Sequence, residues 1–374
     1  MAVAQTYDFQ QQVRDMQANV DLILTKAPVL FGLIGTGEAL TQTKFEWQND
    51  YLNSDTAIAK AAAAADATEI QLDAGDARKF TENALVQNGL EVLRVTKVDE
   101  AADKITVQRG YDATTPEAIE ANGELKVISR PRPEGESVLR KNEINDRIVS
   151  FNYSQIFTRY ASVSRTQQQV NTYGVADELD YQVNLRLQEM VREINNSLIY
   201  GRKYQGSDLQ PRTSGGLFAF AQEQGSASKD FGGKEITAKG LNDAIEETFK
   251  RGGRVDTILC APNVSRQITK LAGDTIRTTR GEGQVGYQIM SFMSDLPGGA
   301  VSQVVVDQNM PKDRALLLDL DNIKARYLTS IYDQDATEPG ADYFARVIRG
   351  ELGFEIKNAK ESVAILSGIS KTVS

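Results

Sequence analysis

The sequence predicts an α+β fold that carries a small all-β insertion, and three observations lead there. Residues 174–200 hold the strongest periodic signal in the chain: Ala176, Leu179, Val183, Leu187, Met190, Val191, Ile194 and Leu198 recur at steps of three and four, which sets an apolar stripe along one helix face. Short apolar runs separated by turn residues fill the second half of the chain without a regular βαβ repeat. Residues 56–134 change character, to brief alternating segments with turns between them.

Taken in order, residues 2–26 are polar with scattered Phe9, Val13, Met16, Val20, Leu22 and Ile23. They read as a partly helical arm that orders on a partner surface, a frayed terminus being the alternative. Residues 27–37 are apolar and glycine-rich, and 43–47 alternate like a strand. After the alanine run 61–65, strands are expected over 69–72, 90–98, 104–109 and 125–129. Leu90 and Val92 give way to Leu93 and Val95, a parity slip that suggests a bulge. Pro131 and Pro133 close the segment. The sequence on either side reads as one element interrupted, hence an inserted module; the alternative is an ordinary part of one large α+β fold.

Residues 137–170 look like an extended, weakly alternating hairpin arm exposed on both sides, which invites pairing with a neighbour. In the 174–200 helix, Asp177, Glu178 and Asp180 sit where the helix dipole favours anions, and Gly201 and Arg202 follow its last apolar residue. Its length is about 40 Å at the α-helical rise. Residues 201–233, with their SGGLFAF stretch, read as an irregular loop. A helix over 237–250 is capped by Thr237 and presents Leu241, Ala244, Ile245 and Phe249 on one face. Residues 256–260 form a buried strand, 263–271 a helix and 273–295 a long loop. Further strands are expected over 301–306, 315–319, 323–327, 341–349, 351–358 and 362–367.

Composition narrows the chemistry. The 374 residues, 41% hydrophobic and 25% charged, can bury a sizeable core. One cysteine and no histidine leave no internal disulfide and argue against zinc, haem and histidine-based catalysis. A net charge of -9 argues against nonspecific nucleic-acid affinity, and no apolar run is long enough for a membrane span or a secretory leader. Gly281, Gly283 and Gly286 form a literal GxGxxG with Asp307 about twenty residues on, but the motif follows IRTTR instead of closing a hydrophobic strand, so it reads as a loop. Asp333, Asp335, Glu338 and Asp342 lack the order of a calcium loop. Cys260 ends an apolar strand with no base to activate it, and Asp177, Glu178 and Asp180 are explained by the dipole. No catalytic, cofactor or metal constellation remains.

A long stripe helix, an extended arm, a polar terminus, a β insertion and no chemistry suit a protein that contacts copies of itself. The stretches VSFNYSQIFTRYASVSRTQQQVNTYGVADELDYQV, NNSLIYGR, VVVDQNMPKDRALLLDLDNIKARYL and RVIRGELGFEIKNAKESVAILSGIS give the chain its resemblance to the major capsid proteins of tailed bacteriophages, over nearly its whole length. The resemblance implies an N-terminal arm at 1–39, an extended E-loop at 40–173 with the insertion at about 56–134, and a P-domain spine helix with its following loop at 174–238. It also implies an A-domain at 239–326 and closing P-domain strands at 327–374.

In that family A-domains surround the capsomer axis, which would bring Arg277, Arg280, Gly281, Gly283 and Gly286 close to it. E-loops lie across a neighbour's P-domain, which makes Arg140, Lys141, Glu143, Asp146 and Arg147 candidates to pair with Arg349, Glu351 and Glu355 next door. The implied function is self-assembly into hexamers and pentamers of an icosahedral shell around double-stranded DNA, bound without sequence specificity, in a virion assembled in the host cytoplasm. The implied partners are further copies of the chain, a separate scaffolding protein, a portal and a decoration protein, with no membrane, cofactor or enzymatic step. An encapsulin-like nanocompartment shell, a tail or adhesion protein, and an enzyme with a loop cofactor site are the alternatives.

Overall fold

The apolar stripe becomes a 23-residue helix, Glu178–Tyr200. The computed structural model describes residues 28–49, 54–132, 134–135, 148–170, 177–271, 276–278, 290–292, 294 and 303–372. Asp177 caps the helix by accepting the Asp180 N–H, and the Gly201 N–H closes the other end on the Ser197 carbonyl. At the α-helical rise it is roughly 34 Å long, shorter than the expected span because Asp177 is itself the extended cap and the helix begins after it. Burial is confined to its second half, where Met190, Ile194, Asn195, Leu198 and Ile199 are enclosed. The chain separates into two compact units, one made of residues 1–49 and 149–374, the other of 50–148.

In the first unit a long antiparallel hairpin, Ile323–Asp335 with Tyr343–Ile356, anchors a four-stranded sheet. Gly35–Thr36 adds in parallel on one side and Gln155–Ser164 antiparallel on the other, in register from Gln155 opposite Leu352 to Ser164 opposite Tyr343. For residues 155–164 this corrects the expectation of a doubly exposed arm, while 137–147 of the same expected arm lie outside the described residues. Phe157, Ala161 and Val163 share one parity and are buried, so that polar-looking segment is a sheet strand with one covered face. Ser164 then caps a short helix, Arg165–Gln169.

A seven-stranded mixed sheet forms the rest of the core, in the order Ala227–Asp230, Val363–Ser367, Ala315–Leu318, Thr257–Cys260, Gln303–Val306, Met290–Phe292 and Ile276–Thr278. Every residue of Thr257–Cys260 and Ala315–Leu318 is buried, as a central strand covered on both faces requires. The helices Ala238–Lys250 and Pro262–Lys270 accompany it, and the Thr237 hydroxyl accepts the Gly240 N–H as the expected cap. The span 273–295, expected as loop, contains two strands: Ile276–Thr278 pairs antiparallel with Met290–Phe292.

The SGGLFAF stretch is a helix, Leu217–Glu223, with its first five residues buried. It shows no amphipathic period because it is enclosed on all sides, and loop chemistry at Gly215 and Gly216 masks its start. Gly216 lies so close to the end of the long helix that a Cβ there would stand 2.5 Å from the Leu198 carbonyl oxygen. Trp47, on the two-stranded sheet Lys44–Asn49 with Ile148–Tyr153, packs 5.7 Å from the Phe220 ring. Buried Asn152 joins three segments, donating to Gly215 O at 3.0 Å and Phe354 O at 2.7 Å while accepting the Gly215 N–H at 2.7 Å.

The second unit is a six-stranded antiparallel sheet in the order Thr56–Ile58, Glu124–Ser129, Leu85–Asn88, Glu91–Asp99, Lys104–Gln108 and Glu69–Gln71. An Ala59–Leu72 bridge, with Lys60 N donating to Gln71 O at 2.9 Å and Asp73 N to Ile58 O at 3.0 Å, joins its first and last strands into a closed barrel. Ile70, Leu72, Phe80, Leu93, Ile105 and Leu125 fill it. The parity slip at Leu90 is a turn, where Leu90 is 83% exposed; the register shift lies further on, between Val95 and Lys97. Glu91 is fully buried on Arg109, whose Nη2 approaches Glu91 Oε2 at 2.6 Å. The same carboxylate accepts Gly110 N–H and Glu117 N–H, each at 3.0 Å.

Candidate assembly surface

The four-stranded sheet has one face turned to the long helix and, among the described residues, one that is largely open. On the helix side Arg159 meets Glu193 at 2.6 Å, and Arg346 meets Asp180 at 3.0 Å and Asp333 at 2.5 Å. Residues directly opposite in an antiparallel pair share a face. The register therefore sets three rows on the open face: Ile156, Glu351 and Thr329; Thr158, Arg349 and Tyr332; Tyr160, Val347 and Gln334. Ile156 is 46%, Tyr160 51% and Tyr332 41% exposed. Apolar and aromatic side chains at alternate positions, with an exposed arginine between them, form a ready protein-contact surface. The alternation within 155–164 is the sequence signal for these residues, hidden by the arm-like polarity of the flanking chain.

The three sequence-selected charges of this region part ways. Arg349 is exposed in the middle row. Glu351 is largely enclosed and accepts from Ser154 Oγ and Arg212 Nη2, both at 2.6 Å. Glu355 is buried against Arg326 at 3.2 Å and Lys357 at 3.4 Å. These two carboxylates thus hold partners inside their own chain, Glu351 fixing the loop that carries Arg212. Arg140, Lys141, Glu143, Asp146 and Arg147 lie outside the described residues, as do Arg280, Gly281, Gly283 and Gly286. Arg277 lies in the Ile276–Thr278 strand.

The features with a catalytic look have structural partners. The GxGxxG residues fall between two strands that pair antiparallel, not between a strand and a helix. Asp307 is buried, accepting Asn195 Nδ2 at 2.8 Å and, at 2.8 Å each, the Asn309 N–H and Nδ2. Asn195 in turn accepts the Phe31 N–H at 2.9 Å, so this joint ties the long helix to the mixed sheet and to the incoming chain. Burial pushes the Cys260 thiol up to about 12, which keeps it protonated at neutral pH. Asp333 pairs with Arg346, Asp335 accepts the Thr337 N–H, and Asp342 faces Arg165 at 3.9 Å.

Among the described residues, one carboxylate group has metal-like spacing: Asp256, Asp319 and Asp321, with ligand atoms within 4.8 Å of one another. Asp256 accepts the Leu320 N–H, and Asp319 accepts Asn322 Nδ2 at 2.8 Å, so the group organises its own turn. Burial first, then the neighbouring Asp256, raises the Asp319 carboxyl above its ordinary range. Among the described residues no helix is long and apolar enough to cross a membrane.

The family model of the SU10 major capsid protein matches residues 2–370. The chain belongs to the SU10 major capsid protein family. This major capsid protein is similar in fold to a solved structure from Mycobacterium phage Adephagia, with a TM-score of 0.52 at 10% identity, covering 98% of each chain. The capsid asymmetric unit of Cyanophage A-1(L) aligns with a TM-score of 0.50 at 12% identity, again over 98% of each chain. A structure from Microbacterium phage Oxtober96 gives 0.50 at 11% identity over 97% of this chain and 98% of that one. No curated protein matches the chain. The phage capsid fold therefore runs through nearly the whole molecule. Its family makes it a structural component of the bacteriophage capsid shell.

Proposed function

We propose that this capsid protein assembles as hexamers and pentamers, closing an icosahedral shell around double-stranded DNA without a catalytic step of its own. The observation that carries the reading is the open face of the four-stranded sheet, where Ile156, Tyr160, Val347 and Tyr332 stand at alternate positions around exposed Arg349. A neighbouring copy lying across this face buries those side chains, and the charges of 140–147 on that copy meet Arg349 among them. Single exposed ion pairs contribute only about 0–1 kcal/mol, so buried area and repetition around the shell supply stability while charge sets register. The span 273–295 lies near the capsomer axis. Assembly takes place in the host cytoplasm with a separate scaffolding protein and a portal, and the barrel serves contacts between capsomers or receives a decoration protein.

Negative-stain electron microscopy with sedimentation velocity tests the reading on wild type and on Tyr160→Asp/Tyr332→Asp. Wild type is expected to give shells, tubes or rings when supplied with scaffold, and the variant to remain unassembled with an unchanged circular dichroism spectrum. Normal shells from the variant would exclude the open face as the contact. A compact wild-type monomer under every condition would exclude self-assembly.

A further inference from the structure

A strand with nothing beside it presents a row of N–H and C=O groups that pair with any extended backbone brought to them, and proteins blunt such edges with short strands, bulges and charges. Most sheet borders here follow that rule. Gly35–Thr36 has two residues, Ile276–Thr278 three and Ala227–Asp230 four. Beyond Tyr327 no described strand covers the outer side of Ile323–Asp335, but two register shifts interrupt it and Asp333 and Asp335 charge its end. Gln155–Ser164, the other border of the four-stranded sheet, departs from the rule. It has ten residues and pairs with Tyr343–Ile356 from end to end without a bulge. Its sequence QIFTRYASVS holds no proline, lysine or carboxylate, and its one charge, Arg159, is turned to Glu193 on the long helix.

Two hydrogen bonds fix which way its backbone groups point. Arg165 N–H donates to Asp342 O at 3.2 Å, and Ala336 N–H donates to Ala345 O at 2.9 Å. Successive residues of a strand direct these groups to opposite sides, so Phe157, Arg159, Ala161 and Val163 bond Tyr343–Ile356. Ile156, Thr158, Tyr160 and Ser162 then direct theirs away from the sheet, and among the described residues none bonds to them. The same edge is occupied just before this point. Ser154 N–H donates to Thr43 O at 2.9 Å, and Arg212 Nε donates to Ser154 O at 2.6 Å. From Ile156 to Ser162 the edge runs free for about 20 Å, with a donor and an acceptor about every 7 Å, the repeat of an extended polypeptide. A groove of about 620 Å³ opens beside it, lined by Tyr160, Ser162, Ser164, Gln167, Gln182 and Arg186.

We propose that the edge at 156–162 is completed by an extended strand of a second copy, which joins the four-stranded sheet as its fifth strand. The chain belongs to a capsid protein family, so further copies are the polypeptides that surround each subunit. The edge is also continuous with the exposed side chains of Ile156 and Tyr160 on the contact face. The inference rests on the self-assembly reading and adds a backbone ladder to it.

Hydrogen exchange resolved residue by residue reads that ladder on unassembled wild type and on shells purified free of other proteins. In the unassembled protein the amides of Phe157, Arg159, Ala161 and Val163 are expected to exchange slowly and those of Ile156, Thr158, Tyr160 and Ser162 fast. In shells the second set is expected to slow by about tenfold or more. Ser162→Pro removes an outward N–H and leaves the bonds to Tyr343–Ile356 in place, as proline on an edge strand does. It is expected to keep the wild-type circular dichroism spectrum and lose assembly, whereas Ser162→Ala assembles normally. Shells whose edge amides still exchange fast, or normal shells from Ser162→Pro, would overturn the proposal and leave self-assembly standing. Edge amides already slow in the unassembled protein would assign the edge to the chain's own residues, and protection present only with a scaffold bound would assign it to that protein; either result overturns the proposal. A wild type that never assembles would overturn both readings.

Discussion

At the scale of single residues, the molecule concentrates its buried charge where loops must be held to rigid parts. Glu91 is the clearest case. Burial alone would raise its carboxyl, but Arg109 and the N–H groups of Glu117 and Gly110 outweigh that cost and hold it below the usual range. Because the folded value is depressed, the contribution to stability is present above the unfolded value and is lost as pH falls through the folded one. The barrel is therefore expected to loosen first at acid pH, with hydrogen exchange rising in 110–117 before the rest of the unit. Glu91→Gln leaves Arg109 buried without its counter-charge and is expected to cost about 3–5 kcal/mol, measured by denaturant unfolding of the barrel, while also flattening that acid dependence. A pH profile identical to wild type would sink the assignment. Asp307 carries a comparable duty at the joint with Asn195 and Asn309. Asp307→Ala strands those amides and is expected to lower stability by about 1–3 kcal/mol, read as a lower melting temperature.

At the scale of elements, the sequence was legible wherever a segment has one wet and one dry side. The helix Ala238–Lys250 and its Thr237 cap, the buried strand Thr257–Cys260, and the barrel strands Lys104–Gln108 and Glu124–Ser129 all fall within a residue or two of their expected bounds. It failed where burial is total or the partner is distant in sequence. Leu217–Glu223 has no period to read because all its faces are covered, and Gln155–Ser164 looks like an arm until Tyr343–Ile356 pairs with it. For the candidate surface, the sequence singled out charges. Two of these, Glu351 and Glu355, are engaged within the chain, while the exposed apolar rows emerge only from register. The tight seat of the buried helix is testable. Gly216→Ala sets a Cβ against the carbonyls of Leu198 and Ser197 and is expected to cost about 1–3 kcal/mol by thermal unfolding. Gly32→Ala, where a Cβ meets nothing within 4 Å, is expected to be neutral or slightly stabilising.

At the scale of the whole molecule, the barrel and the capsid core are separate folding problems joined by one doorway. The barrel's core residues all lie between Ala57 and Val127, and none belongs to the core of the other unit. The chain leaves the capsid core at the end of Lys44–Asn49 and returns at the start of Ile148–Tyr153, two strands that pair with each other, and Asn49 Nδ2 donates to Ser150 Oγ at 3.2 Å beside that doorway. Closing a short turn between adjacent paired strands costs little loop entropy, whereas the closed barrel has no open sheet edge that requires a neighbour. Replacing residues 54–132 by a short glycine-containing turn is therefore expected to leave the capsid core folded, with its melting temperature within a few degrees of wild type. Residues 54–132 made alone are expected to unfold cooperatively and to keep the acid sensitivity set by Glu91. An aggregated deletion variant together with an unstructured isolated barrel would show instead that each unit folds only in the presence of the other.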